Sequence, residues 1–279
     1  MVGSIYALIA LGFNIIFNAT EAINFAQGEF VMLGGMTTIT LYHGLKIPLI
    51  AAFFLSVLIV TLIAIIFERF TIHYQQGRSI VTLIILTIGV SICLRGGAMF
   101  VWGKDSFDLP AFSGNEPIIV LDAAILPQSV WIIAIGMSVA IGLHFFFKLT
   151  LTGKAMRACS FDRMSARLVG IDDNRMVLWS FALAAASGSI AGVIITPITL
   201  MAYDNGLMLG LKGFCALLFG GLGSMLGSVV GGLLLGIFES LGAGLISSGY
   251  KDAIAFLILL TVLFIKPSGL FGKRSSEKV

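Results

Sequence analysis

The chain has 279 residues, of which 58% are hydrophobic and 11% charged, with a mean hydropathy of +1.05 and a formal net charge of +3. A water-soluble domain carries roughly 25% charged residues, so this composition excludes a fold whose surface faces water. A charge this close to balance gives no reason to expect a nucleic-acid partner.

Apolar runs of about 20 residues recur from end to end, each long enough for a helix to cross about 30 Å of hydrocarbon. They are continuous, whereas a membrane β-barrel needs alternating segments of about ten residues. The expected fold class is an all-α polytopic membrane helical bundle, one domain over residues 1–279 with about 8–9 transmembrane or re-entrant helices. Membrane lipid is therefore an expected partner. Met1 leads into apolar sequence with neither a basic stretch nor a cleavage site, so no signal peptide is expected, and the first span looks short. Cys93, Cys159 and Cys215 are scattered, and His43, His73 and His144 lack metal-ligand spacing, so neither a disulfide framework nor a metal site is expected.

In chain order the expected spans are 3–18, 25–42, 47–67, 79–101, 129–147, 177–199, 207–223, 226–243 and 250–266. Between the first two lies "NATEAINFAQGEF", which puts Asn18, Glu21, Asn24, Gln27 and Glu29 between two oily runs. Asn24 or Thr20 is expected to cap the second helix, with Gln27 and Glu29 in its first turns, where a carboxylate meets the positive end of the dipole. Capping does not use all five groups. Unpaired polar groups at membrane depth are costly, so the five are expected either to pair structurally or to line a hydrated substrate path. Arg95 in the fourth span is a candidate partner for Glu29, although the span order places it nearer the opposite side. Glu239 in "GIFESLG" is a second intramembrane carboxylate with the same two readings.

The segment 207–223 is short and glycine-rich, and reads as either a broken helix or a full span. "FVMLGGM" in the second span echoes "FCALLFGGLG" in the seventh, which makes an inverted repeat a candidate architecture. Gly223, Gly227 and Gly231 recur every four residues beside a strip of Ser224, Ser228, Gly232 and Gly236, and Gly188 and Gly192 repeat that spacing. Small residues at i, i+4 let helices approach closely in lipid, either within the bundle or against a second membrane subunit.

Orientation follows from lysine and arginine. The loop 148–176 holds Lys148, Lys154, Arg157, Arg163, Arg167 and Arg175; the tail holds Lys266, Lys273, Arg274 and Lys278; and the loop after the third span holds Arg69 and Arg78. Alternating nine spans puts these twelve of the chain's 17 basic residues on one side, the expected cytoplasmic side, with the tail 267–279 there too. The loop 102–128 on the opposite side carries Lys104 against Asp105, Asp108, Glu116 and Asp122.

Within 148–176 a short surface helix is expected, with Ser160 as a possible cap, Asp162 at its positive end, and a Schellman-type stop at Gly170–Ile171. Asp162, Ala166 and Gly170 would form a small, smooth stripe flanked by Arg163 and Arg167. The segment reads as an interfacial helix on anionic lipid or as a docking element for a cytoplasmic partner.

"GSIYALIALGFNIIFNATEAINFAQGEFVMLGGM", "LTGKAMRACSFDRMSARLVGID" and "KPSGLFG", in this order, resemble the permeases of branched-chain amino acid ABC importers, in particular the high-affinity leucine/isoleucine/valine subfamily. The resemblance spans nearly the whole chain. It implies a permease that works with a second homologous permease, two cytoplasmic ATPase subunits and a periplasmic or extracellular binding protein. It also implies that Asp162, Arg163, Ala166, Arg167 and Gly170 belong to a coupling helix docking on an ATPase, and that selectivity lies mainly in the binding protein. Gln27 stands where the family often carries histidine, which removes a titratable group there.

No G-x-x-x-x-G-K-[ST] occurs, so the chain is expected to bind no cofactor of its own and to leave ATP hydrolysis to partner subunits. It reads as a transport subunit rather than an enzyme, resident in the cell inner membrane. Permeases of the same family for urea or short amides stay open at this point, as does an ion-coupled secondary transporter using Glu29, Glu239 and Arg95. A membrane serine protease centred on Gly136–Ser138 lacks a histidine in register.

Overall fold

The computed structural model describes residues 1–272 apart from 73, 75–78, 115, 121, 122, 246 and 267. His73, Arg78, Asp122 and the tail residues Lys273, Arg274 and Lys278 lie outside the described residues.

The chain folds into helices α1 (Val2–Thr20), α2 (Gln27–Ile39), α3 (Leu49–Phe67), α4 (Ile80–Trp102), α5 (Pro127–Leu149), α6 (Leu151–Phe161), α7 (Arg163–Leu168), α8 (Asp173–Ile195), α9 (Asn205–Gly220), α10 (Met225–Leu245) and α11 (Lys251–Ile265). A hairpin of β1 (Ile118–Val120) and β2 (Ala123–Ile125) precedes α5, pairing antiparallel with Ile118 opposite Ile125. Among the described residues, six helices are long and apolar enough to cross a membrane, counting α3 with its continuation to Ile72. The protein is thus a multi-pass helical membrane protein, as its composition requires.

Local chemistry sets the helix ends. Ser79 caps α4 by accepting from the Thr82 amide, Thr150 caps α6 through Gly153, and Asp172 caps α8 through Arg175. Pro127 occupies the first turn of α5, where no amide partner is lost. Glu21 ends α1 in the left-handed conformation at φ 58°.

Helices α1, α2, α8 and α9 form the centre. Apolar helices gain little from one another in hydrocarbon, so close contact between small residues holds them together. A Cβ on Gly192 would strike the Val31 carbonyl, one on Gly34 would meet Ser189, and one on Gly28 would strike the Gly206 carbonyl. Gly232 and Gly236 lie on Ala7 and Gly3 of α1, while Gly227 and Gly231 lie on Gly220 and Ala216 of α9. The expected glycine seam is therefore internal. Gly223 is not part of it: it sits in the turn before α10 with φ +81°, a conformation that only glycine adopts freely.

The contacts repeat with exchanged partners. α1 packs on α9 as α8 packs on α2, α10 lies on α1 as α3 lies on α8, and α4 touches α2 as α11 touches α9. α1 and α8 run in opposite directions: Met1 and Ile194 reach the Ser129–Gln128 end, and Ala19 and Asp173 reach the α7 end. The echo between the second and seventh spans falls on α2 and α9, which pack on each other through Gly28 against Gly206 and Gly210.

The α1 C-terminus, α6, α7, the α9–α10 turn and Phe271 in the segment after α11 meet at one end of the bundle. This end carries Arg157, Arg163 and Arg167, and is the basic end. The opposite end holds the 103–126 loop, tied to the loop after α8 by the Phe107–Met201 bridge.

Candidate functional site

α2 does not start at the basic end. After Glu21 the chain turns back into the bundle as irregular backbone, with Ala22, Asn24 and Ala26 all buried. Such backbone survives at membrane depth only when protein encloses it. Thr20 Oγ accepts from the Ala22 amide, Asn24 Oδ1 from the Ala26 amide, and Thr87 Oγ of α4 from the Phe25 amide. Thr20 and Asn24 thus brace the turn and do not cap α2, whose N-cap is Ala26 with no side-chain bond. A residue with no acceptor ends up as the cap because the turn before it has taken both polar side chains.

Gln27 and Glu29 do occupy the first turn of α2. The Gln27 amide reaches the middle of two long helices: its Nε2 donates to the Ala184 carbonyl at 2.9 Å, and it packs where Gly12 leaves space. Glu29 Oε1 accepts from Ser91 Oγ at 2.8 Å and lies 3.9 Å from Arg95 Nε. The Glu29–Arg95 partnership is therefore present despite the distance inferred from span order, because α2 begins deep in the bundle. Glu29 Oε2 has no hydrogen-bond partner among the described residues, and faces the space left by Gly206 at the start of α9.

The five polar residues of the opening segment do not gather around one opening. Asn24, Gln27 and Glu29 are sealed, Glu21 is exposed, and Asn18 alone borders a large cavity. That cavity, about 650 Å³, opens at the basic end between α1, α6, the α9–α10 turn and Phe271, with Arg157, Ser160 and Ser224 on its walls. Asn18 donates to Asn14 Oδ1 at 3.1 Å, and Asn14 donates to Ser228 Oγ at 2.8 Å. The sequence reading missed Asn14, although its i, i+4 spacing from Asn18 puts both on one helix face.

The reading also missed Lys212, a lone lysine in the apolar α9. Its Nζ lies 2.8 Å from Glu239 Oε1 and 2.6 Å from Asp252 Oδ1, with Lys251 at 3.4 Å from Glu239. It also stands 5.8 Å over the Tyr6 ring. An isolated intramembrane charge was the available signal. This cluster ties α9 to α10 and α11, as Glu29 ties α2 to α4.

At the basic end, 148–176 forms two helices rather than one. Asp162, not Ser160, caps α7, accepting from the Met164 and Ser165 amides, while Ser160 bonds back to Arg157 inside α6. The stop is as expected: Gly170 has φ +85°, its amide donates to Arg167 and the Ile171 amide to Ala166, each at 3.0 Å. Arg163 donates to the Ala19 carbonyl at the end of α1, and Arg167 bonds Asp173 at 2.5 Å, which raises the guanidinium pKa. Ala166 turns inward and is buried, while Asp162 and Gly170 at either end of the expected stripe are exposed, so the stripe is not continuous at the surface. Phe161, Met164, Leu168 and Val169 are exposed instead. The predicted stripe used spacing alone, and spacing does not say which side of a short helix meets the bundle.

The family model described as branched-chain amino acid transport system / permease component matches residues 1–263. The high-affinity branched-chain amino acid transport system permease protein BraD of Pseudomonas aeruginosa is 31% identical, the alignment covering 100% of this chain and 95% of that protein. LivH of Escherichia coli strain K12, a permease of the same description, is 31% identical over 99% of this chain and 94% of its own length. A chain of the solved structure "PsaBC from Streptococcus pneumoniae in complex with Fab" shares the fold at TM-score 0.50 and 13% identity, covering 97% of this chain and 91% of that one. A family match over nearly all of the chain, joined to full-length identity above 30%, establishes that the protein belongs to the permease components of branched-chain amino acid transport systems.

Proposed function

We propose that the chain is one permease subunit of an ATP-driven importer that carries branched-chain amino acids across the cell inner membrane. It works beside a second, homologous permease. Two cytoplasmic ATPase subunits bind and hydrolyse the ATP, a periplasmic or extracellular binding protein delivers the substrate, and this chain binds no cofactor. The basic end, with the C-terminus, is cytoplasmic, in keeping with the positive-inside rule.

The observation that carries this reading is the build of α6 and α7. Arg163 fastens α7 to the end of α1, and the Arg167–Asp173 pair fastens it to α8. Force applied to α7 is thus passed to two central helices. This element meanwhile exposes Met164, Leu168 and Val169 beside Phe161, an apolar patch at the basic end of the kind that marks a protein-interaction site. Asp162, Arg163, Arg167 and Gly170 shape and hold this element, Ala166 seats it on the bundle, and the patch docks. In the opening segment, Gln27 and Glu29 brace the half-helix α2, and Asn18 borders the cavity at the cytoplasmic mouth.

The test is co-purification with the products of adjacent genes, followed by ATPase measurement in liposomes with leucine-loaded binding protein. A cysteine at Leu168 is expected to crosslink to the ATPase, and leucine-loaded binding protein to stimulate hydrolysis. A complex that imports leucine without any such crosslink would refute the docking role. Uptake that survives ATP depletion but collapses with an uncoupler would refute the importer.

A further inference from the structure

Two charged clusters sit at exchanged places in the bundle, and they differ in how well their charges are satisfied. Lys212 is closed in by two carboxylates within 2.8 Å. Glu29 and Arg95 are 3.9 Å apart, Glu29 is 1% exposed with one oxygen unpartnered, and Arg95 is 26% exposed. The first cluster has the geometry of a brace. Among the described residues the second is incomplete on both sides: a carboxylate oxygen without a donor, and a guanidinium with most of its five donors unused.

Arg95 lies seven residues, about 10 Å, before the end of the apolar α4. A part-exposed guanidinium is not stable against hydrocarbon at that depth, so this flank of α4 faces water or protein. Ile88, Ile92 and Met99 stand at i−7, i−3 and i+4 from Arg95, and expose apolar side chains beside it. Leu207 and Met208, near the α9 start where Gly206 leaves room for Glu29 Oε2, are likewise exposed.

We propose that Arg95, held in place by Glu29, forms a transit subsite for the carboxylate of a zwitterionic amino acid. The proposal rests on the importer reading above and deepens it. The substrate carboxylate takes the open guanidinium face of Arg95, where a bidentate pair is available. The branched side chain lies along Ile88, Ile92 and Met99. Ser91 keeps Oε1 in place throughout. Because the Glu29 carboxylate stays beside the guanidinium, its charge competes with that of the substrate and keeps the occupancy brief.

The experiment uses the full complex in proteoliposomes, with radiolabelled leucine supplied by the binding protein. The double neutral variant Glu29→Gln/Arg95→Gln removes both charges and leaves neither one orphaned. It is expected to assemble with its partners in wild-type yield and to import leucine at least tenfold more slowly. Import within twofold of wild type would mean that the pair is only structural, and would overturn the proposal. If the double variant fails to assemble, Arg95→Lys carries the test, because it keeps the charge and loses the fork. A several-fold loss of import at wild-type yield supports the subsite, and unchanged import overturns it. Wild-type vesicles that import no leucine overturn the subsite together with the functional reading beneath it, an outcome recognised because the wild type itself is then silent.

Discussion

Gly192→Ala tests whether backbone proximity, rather than side-chain chemistry, holds the centre together. A methyl group on Gly192 would overlap the Val31 carbonyl oxygen and come within 2.8 Å of the Val31 carbonyl carbon and 3.1 Å of the Gly35 amide. Comfortable carbon contacts lie at about 3.5–4.0 Å, and the obstructing atoms are backbone, so α2 must move away from α8 by about 1 Å. Overpacking of this kind costs about 1–3 kcal/mol. The same shift stretches the Gln27–Ala184 hydrogen bond along the same seam, adding about 1 kcal/mol. Alanine recovers about 1 kcal/mol of helix propensity, so a net loss of about 1–3 kcal/mol is expected. Gly142 in α5 has no atom within 4 Å of the position its Cβ would take, so Gly142→Ala keeps only the propensity gain. Thermal unfolding of both variants in one detergent is expected to separate them by about 2–4 kcal/mol, with Gly142→Ala the more stable. Equal stability for the two would refute the close-approach account.

Lys212→Met leaves Glu239 buried with the more distant Lys251 as its cationic partner, and is expected to lower stability by about 3 kcal/mol; adding Glu239→Gln should restore most of it in the same unfolding assay. Gly170→Ala forces a left-handed position onto a side chain at a cost of about 1 kcal/mol, and should speed proteolysis between α7 and α8, with Gly170→Asn milder. In detergent, Cys93 should react with maleimide while buried Cys159 and Cys215 react only after denaturation. At Cys159, burial first and the Asp173 charge second push the thiol pKa up, so its thiolate is scarcer still at neutral pH.

The element order was largely legible in the sequence, because hydrocarbon imposes helices on any apolar run long enough to cross it. Each of the nine expected spans overlaps a helix, and the Gly170–Ile171 stop was readable because a left-handed glycine followed by isoleucine is a local signal. Membership of the permease family was carried by three motifs in order. What the sequence left open depended on depth and facing. Nothing local says that α2 begins mid-bundle, yet that start is what seals Asn24 and Gln27 and brings Glu29 to Arg95. Nothing in the Asp162–Ala166–Gly170 spacing says that Ala166 faces the bundle and Met164 faces out. Lys212 became interpretable only when α9, α10 and α11 came together around it. Helix formation responds to each residue's own neighbours along the chain and to the lipid. Which charges meet is decided by helices distant in sequence, through close packing that no single stretch encodes.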